Sequence, residues 1–316
     1  MNIGLKLRAY HLKWYALFST INKTKLLIFF LFLNNACSKI IEIDLNNTKA
    51  LVLNSIFNPD SIFTFRISTT ASLLNNYDTI NENLHFSLYE EDKLIFESVS
   101  QSSLFKTDLK PTSGRKYTVE LKSDNFSSIT ASDTIPSLVP IDNAYMIFPA
   151  GVDASGSYLA EANISFTDPI NEKNYYELII HQGQRIKNFW NTEYQTNDRV
   201  LMNEGDLDYH PTTFFFSDKL FNGESYTMSI KHNVGYSLKD NKLTAFPIYA
   251  TLRSVSRSYY MYRKYYTRHA YNQQFQNEFL DFIFKGEPQN MFTNIENGYG
   301  IFAGYCESTI EMIQNE

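Results

Sequence analysis

Between residues 49 and 134, short runs of β-forming residues recur at intervals of about ten positions, with no helical pattern between them. The runs are Lys49–Phe57, Phe63–Thr69, Leu84–Tyr89, Lys93–Ser98, Tyr117–Lys122 and Ile129–Thr134. Turn-forming clusters such as Asn58-Pro59-Asp60 and Glu90-Glu91-Asp92 break them. In Tyr117–Lys122 the residues Tyr117, Val119 and Leu121 share one face, as the two-residue period of a half-buried strand requires. Strands this short bury an apolar face only by stacking one sheet on another. The pattern therefore predicts a β-sandwich.

Ile135-Pro136-Ser137-Leu138-Val139-Pro140 interrupts the pattern. Two prolines cannot donate to a ladder, so a domain boundary is expected there. Beyond it, strand character returns at Asn163–Phe166, Tyr175–Ile180, Phe214–Phe216 and Ser225–His232, with a polar surface loop or hairpin expected over residues 183–212. A phrase recurs in both halves: Gly114-x-x-Tyr117-Thr118 and Gly223-x-x-Tyr226-Thr227, each followed by alternation. A tight turn at the glycine, then a strand whose tyrosine packs at the corner, is the tyrosine-corner arrangement of immunoglobulin-like and fibronectin type III sandwiches.

One amphipathic helix is expected near residues 256–278, with Ser254 or Ser256 as N-cap. Val255, Tyr259, Tyr262, Tyr266 and Ala270 follow helical spacing and form its predicted apolar face, with Arg257, Arg263, Lys264 and Arg268 mostly off that stripe. The reading is a helix packed on a sheet. A basic surface for an acidic partner is the rival. In the tail, Asn297-Gly298 signals a hairpin turn, with Ile301–Tyr305 returning as a strand.

The N-terminus carries an export pattern. Lys23 and Lys25 precede the unbroken apolar run Leu26–Leu33, and Ala36 is the small residue before Cys37. The run is far short of the roughly 20 apolar residues that span a bilayer. Residues 1–36 are thus expected to be a lipoprotein signal peptide, Cys37 to carry fatty acyl chains such as palmitate, and residues 37–48 to be a tether. Two or more chains hold a protein on a membrane, at about 0.8 kcal/mol per buried methylene. The rival is a retained helix with Cys37 as an ordinary thiol. The division that follows is an N-terminal sandwich over 49–135 and a C-terminal β-rich domain over 141–316.

The formal charge is −6, and residues 1–36 hold five basic residues and no acidic one, so the chain from Cys37 onward carries −11. That acidity argues against nucleic acid as a partner. Cys37 and Cys306 are the only cysteines, so lipidation of the first leaves no disulfide. Cys306 reads as a small buried residue. Asp206-Leu-Asp208-Tyr-His210 spaces three possible metal ligands two apart, with a solvated acidic loop as the plainer reading. Gly298-x-Gly300-x-x-Ala303 formally fits a dinucleotide fingerprint, but too few residues follow it for the helix and acidic residue that fingerprint needs. His181, His232 and His269 look isolated, and no catalytic residue or cofactor motif is recognised.

Three phrases coincide further on: Phe166-Thr-Asp-Pro with Asn174-Tyr-Tyr; Phe216-Ser-Asp-Lys-Leu-Phe-Asn-Gly-Glu-Ser-Tyr-Thr; and Asn294-Ile-Glu-Asn-Gly-Tyr-Gly-Ile-Phe-Ala-Gly-Tyr. Together they resemble the Bacteroidetes lipoproteins grouped as domain of unknown function 4249, over roughly residues 38–310. The resemblance implies an outer-membrane location, often alongside a TonB-dependent transporter, and supplies no catalytic residues. It leads to a non-enzymatic, lipid-anchored accessory to such a transporter, capturing ligand or contacting the barrel. A structural or adhesive surface protein would lack a concave aromatic-lined pocket. A hydrolase with an unfamiliar site would show a deep cleft with paired carboxylates or a metal. The tether Ser38–Asp44 is compatible with either face of the membrane.

Overall fold

The strand Tyr299–Glu311 runs through 13 residues and belongs to both hydrophobic cores of the body. The computed structural model describes residues 49–70, 82–183, 194–239, 241–273 and 290–315. In chain order these form β1 (Leu51–Phe57), β2 (Thr64–Thr69), β3 (Leu84–Glu90), β4 (Lys93–Ser100), β5 (Leu104–Lys106), β6 (Lys116–Lys122), β7 (Ile129–Thr134) and β8 (Ile141–Ile147). There follow β9 (Leu159–Thr167), β10 (Tyr175–Gln182), β11 (Tyr194–Gln195), helix α1 (Arg199–Glu204), β12 (Phe214–Ser217) and β13 (Ser225–Asn233). Last come β14 (Tyr236–Lys239), β15 (Lys242–Ala245), β16 (Ile248–Val255), helix α2 (Arg257–Gln273), β17 (Tyr299–Glu311) and β18 (Ile313–Asn315). The protein is a mostly-β sandwich, as the strand spacing predicts.

The largest sheet has the order β12-β10-β16-β17-β1-β2-β5. Its β17-β1-β2-β5 part faces the four-stranded sheet β4-β3-β6-β7 across the first core. Its β12-β10-β16 part faces the five-stranded sheet β11-β13-β9-β8-β18 across the second. Helix α2 covers the outer face of the large sheet, where Tyr259 and Tyr260 join Tyr175, Phe215, Val255, Ile301 and Ala303 in a third apolar cluster. Among the described residues no helix is long and apolar enough to cross a membrane. The division expected at residues 135–141 falls where the chain leaves β7 for β8. The cores on either side of it share the large sheet, and Thr48–Glu316 forms one compact unit.

Much of the aromatic content fills these cores. Phe57, Phe63, Phe65, Phe86, Phe105, Tyr117 and Phe302 pack in the first, with ring centroids such as Phe65–Phe86 at 4.5 Å and Phe57–Phe302 at 4.6 Å. Tyr117 makes the expected corner: its hydroxyl accepts from Thr112 N at 2.8 Å and donates to Glu90 at 3.1 Å, beside Gly114 at φ +77°. The second copy of the phrase departs from this. Tyr226 donates to Asp198 at 2.9 Å instead of closing on its own turn.

The tail does not form the expected hairpin. Glu296 bridges to Thr130 in β7, and Asn297-Gly298 carries the chain from that sheet into the other, where β17 runs parallel to β1. The glycines there are required by close approach. A Cβ on Gly298 would lie 2.7 Å from Leu51 O, and one on Gly304 would lie 2.8 Å from the Ile135 side chain. Gly300 is the tightest: its Cβ would lie 2.0 Å from Leu53 O, at φ +112°. Asn294 completes the join, accepting from Phe302 N at 3.0 Å and donating to Phe302 O at 2.7 Å as a neighbouring strand would.

Two expectations follow from this seam. Gly300→Ala combines backbone overlap with a disfavoured φ and is expected to cost roughly 3 kcal/mol or more. It is read as a lowered denaturation midpoint.

Asp133, on β7, is pushed up to about 6 by burial, against hydrogen bonds from Ser256 and from Gly304 N at 3.0 Å. From about pH 4 to pH 6 the folded carboxyl keeps a proton that the unfolded chain has released, so this residue's contribution to stability falls as pH rises through that window. The stability difference between the native protein and Asp133→Asn should therefore change by up to about 3 kcal/mol between pH 4 and pH 7. Denaturant unfolding at both pH values checks it, a flat difference being the contrary result.

Candidate functional site

The structure offers three clusters of polar side chains: a corner of motif residues, a charged layer beneath α2, and an open cleft. The first gathers the phrases shared with the resembling family. Asp168, just past β9, accepts from the Tyr176 hydroxyl and from Gly223 N at 2.9 Å. Asp218 accepts from Asn174 N at 2.7 Å and Asn222 Nδ2 at 3.1 Å, and Asn222 also donates to Glu172 O at 2.7 Å. These bonds tie the loops together at the end of the second core where β9 finishes and β10 and β13 begin. Their acceptors are spent on backbone and tyrosine donors, so the cluster is a brace.

The second cluster corrects the reading of the helix. Ser256 is the N-cap, its hydroxyl accepting from Tyr259 N at 3.1 Å, while Ser254 lies in β16 and accepts from Val139 N at 3.0 Å. The buried residues of α2 are Tyr259, Tyr260 and Lys264, whereas Tyr266 on the predicted apolar stripe is 48% exposed. Residues 274–278 of the expected helix lie outside the described residues. Arg263, Lys264 and Arg268 turn inward because β10 and the segment from α1 to Asp206 present carboxylates to them, while Arg257 stays exposed. Glu177, wholly buried in β10, lies 3.0 Å from Arg253 Nη1 and 3.6 Å from Arg263 Nη2. It accepts from Tyr259 at 2.6 Å and Thr213 at 2.8 Å. Burial pushes its carboxyl up, and the two guanidiniums and two hydroxyls more than reverse this, holding it below the usual range. Arg253 also reaches Glu307 at 2.8 Å and lies over the Tyr305 ring at 4.5 Å.

The possible metal triad lies next to this layer. Asp206, Asp208 and His210 fall in and beside a single 3₁₀ turn, Leu207–Tyr209, not along a strand. Asp206 is buried, with Lys264 Nζ at 2.8 Å and Arg268 Nη2 at 2.6 Å, so two cations already occupy its oxygens. It is an ion-paired core residue rather than part of a solvated loop. Lys264 lies 2.6 Å from Glu204 as well. Among the described residues no group of three His, Cys, Asp or Glu side chains is placed to hold a metal ion. The stretch 183–212, read as a surface loop, contains α1, capped by Asp198 and burying Val200 and Leu201. Cys306 is buried in the first core and free, its thiol pushed up by burial. Cys37 lies outside the described residues.

The third cluster is a cleft of about 280 Å³, at the end of the second core opposite the brace. It opens where β10 and β13 finish and β9 and β16 begin. Tyr158 and Tyr236 line it, their rings edge to face at 5.5 Å, with Phe148 5.6 Å from Tyr236. Ile180 and Ile248 extend its floor into the core.

His232, 2% exposed, borders the cleft in line with the inward residues Met228 and Ile230 of β13. Its Nδ1 is 2.9 Å from Asn233 O, and its Nε2 is buried without a partner. Burial lowers the imidazole's affinity for a second proton, so the ring is neutral at pH 7. The neighbouring Asn233 donates to Asp153 at 3.4 Å and keeps its Oδ1 buried and unpartnered. His181 differs. Its ring nitrogens meet Gly183 O at 2.9 Å and Thr251 Oγ1 at 3.2 Å.

Sequence reasoning passed over His232 as isolated. The one local signal was its place in the alternation Met228, Ile230, His232, which sets a polar ring on a core-facing position.

The body is therefore a β-sandwich scaffold with two cores on one sheet, the second core braced at one end and open at the other. The family model of a domain of unknown function, DUF4249, matches residues 38–311, and the chain belongs to that family. No curated protein matches it.

The charged layer makes a checkable statement. Arg253→Met leaves Glu177 buried without its main counter-charge and is expected to destabilise by roughly 3–5 kcal/mol. Arg253→Lys should recover only part, because an ammonium cannot serve Glu177 and Glu307 as a fork does. Equilibrium unfolding in urea measures both, and near-native stability of Arg253→Met would count against the layer's role.

Proposed function

We propose that the protein is a lipid-anchored outer-membrane lipoprotein that captures a small ligand for a TonB-dependent transporter. Cys37 carries the acyl chains, residues 37–48 form the tether, and the described body is the capturing part. One observation carries the capture reading: the cleft of about 280 Å³ lined by Tyr158 and Tyr236 over an apolar floor of Ile180 and Ile248. A protein acting as a spacer or adhesin has no use for a concave aromatic-lined cleft of this size. The hydrolase reading calls for paired carboxylates or a metal in a deep cleft, and no carboxylate is among the described residues lining this one.

The export pattern before Cys37 and the net charge of the chain beyond it support the location. Membership of the family is consistent with both. The residues of the three phrases serve the brace and the β17 seam and do not line the cleft.

The test is isolation of the native protein from membranes in mild detergent. The expected result is an N-terminal Cys37 bearing acyl chains by mass spectrometry, with a transporter barrel recovered alongside. An unmodified Cys37 with residues 1–36 still attached would remove the anchor. Absence of any barrel, under conditions that preserve known transporter complexes, would remove the partner.

A further inference from the structure

We infer that the hollow between the brace and the start of α2 binds a small, soluble, multiply charged anion through Lys173, Lys219 and Arg257. The hollow lies where β10 begins, at the other end of that strand from the cleft. The inference goes beyond the capture reading and does not depend on it. At about 490 Å³ the hollow falls within the roughly 300–1,000 Å³ of small-molecule sites.

Charge sets the class of ligand. The three basic residues reach the lining from separate pieces of chain: the turn before β10, the 3₁₀ turn after β12 and the first residue of α2. All three are exposed, and among the described residues none of them forms an ion pair. They differ in this from Arg253, Arg263, Lys264 and Arg268, which are each held by a carboxylate. Asp218 is the one acidic residue of the lining. It is 2% exposed, and its Oδ2 is taken by Asn174 N and Asn222 Nδ2. The hollow is thus net positive, on a chain that carries −11 from Cys37 onward. A concave surface lined by one sign of charge focuses the field and concentrates ions of the other sign.

The brace fixes two of these cations side by side. Asp218 N donates to Asn174 O at 3.1 Å and Asn174 N donates to Asp218 Oδ2 at 2.7 Å, and Lys173 and Lys219 are the residues next to this pair. The uncharged groups narrow the class further. Ser217 Oγ and the Tyr260 hydroxyl donate to Glu204, and Asn222 Nδ2 donates to Asp218 and to Glu172 O. With those donors engaged inside the protein, the cationic heads are what the hollow offers to a ligand. Tyr175 and Tyr260, with ring centroids 4.7 Å apart, form the wall behind them. Lysines act as point charges, whereas the guanidinium fork of Arg257 takes two oxygens of one carboxylate or phosphate. Three heads on separate elements suit a ligand with two or more negative charges.

The other features of the surface carry less. Leu94 and Val99 are exposed on the edge strand β4, and Leu238 and Phe246 flank the β14–β15 hairpin, with nothing to say what would cover either pair. His232 Nε2 and Asn233 Oδ1 are buried beside the cleft, out of a ligand's reach.

The experiment measures binding to the full chain in a non-ionic detergent by isothermal titration calorimetry, at pH 7 and low ionic strength. The compounds are pyrophosphate and citrate (polyanions), acetate (one charge) and glucose (neutral). The expected result is at least tenfold tighter binding of one or both polyanions than of acetate, no binding of glucose, and affinity that falls as salt is raised. Lys173→Gln, Lys219→Gln and Arg257→Gln combined should abolish polyanion binding, with a urea midpoint near that of the native protein because all three side chains are exposed. Arg257→Lys should keep part of the affinity. If the triple variant fails to fold, Lys219→Gln and Arg257→Gln taken singly should each weaken binding at least threefold. Phosphatidylglycerol added to the micelles forms the last arm. Its binding through the same three cations, with neither polyanion bound, would assign a lipid headgroup and overturn the inference. Polyanion binding that is absent, no tighter than that of acetate, or unchanged in the variants would also overturn it. Each of these outcomes leaves the capture reading standing, since the cleft holds none of the three cations.

Discussion

The body depends on a backbone contact with no room for a side chain. Where β17 enters the large sheet beside β1, Gly300 approaches Leu53 O so closely that a Cβ has no place, and Gly298 and Gly304 repeat the condition on either side. Close approach lets Phe302 reach the first core while Ile301 and Ala303 on the opposite face meet the underside of α2. The far half of the same strand then pairs antiparallel with β16 and serves the second core. Loosening that seam would separate the two halves, because the large sheet is continuous only through β17.

Helix α2 shows how electrostatics can take the place of an apolar stripe. Arg263, Lys264 and Arg268 face the sheet because Glu177, Glu204 and Asp206 are already committed there by the strand register and by α1. Once buried, each carboxylate needs a counter-charge, and those three cations supply it, while Arg257 stays exposed. A layer of this kind holds the helix in one position more than it adds stability, since desolvation offsets much of the attraction. It also accounts for Arg263, Lys264 and Arg268 without an external acidic partner.

The brace and the cleft stand at opposite ends of the second core. The brace of Asp168, Tyr176, Asp218 and Gly223 spends its acceptors on backbone, amide and tyrosine donors. At the other end, beside the cleft, His232 Nε2 and Asn233 Oδ1 are buried without a partner. A shared fold therefore identifies the family without identifying the ligand, because the residues that define the fold are not those that line the cleft.

Strands with a two-residue period were legible in the sequence, since alternation is local and needs no knowledge of a partner. Tyr117 and Gly114 were legible as a corner for the same reason. The stretches that misled were those whose character depends on distant residues. Ile248–Val255 and Ile141–Ile147 lack a clean alternation, one because both its faces are covered and the other because a register shift interrupts its pairing with β9. The face of α2 was misjudged because Tyr262 and Tyr266 outrank lysine on any apolar scale, while Glu204, 60 residues from Lys264, reversed the order. His232 looked isolated because its lining partners Tyr158 and Ile248 come from other strands. By itself, then, the sequence determined the sandwich, the Tyr117 corner and the family. Only the tertiary structure decided the seam, the inward face of the helix and the open cleft, since each of these is a meeting of residues far apart along the chain.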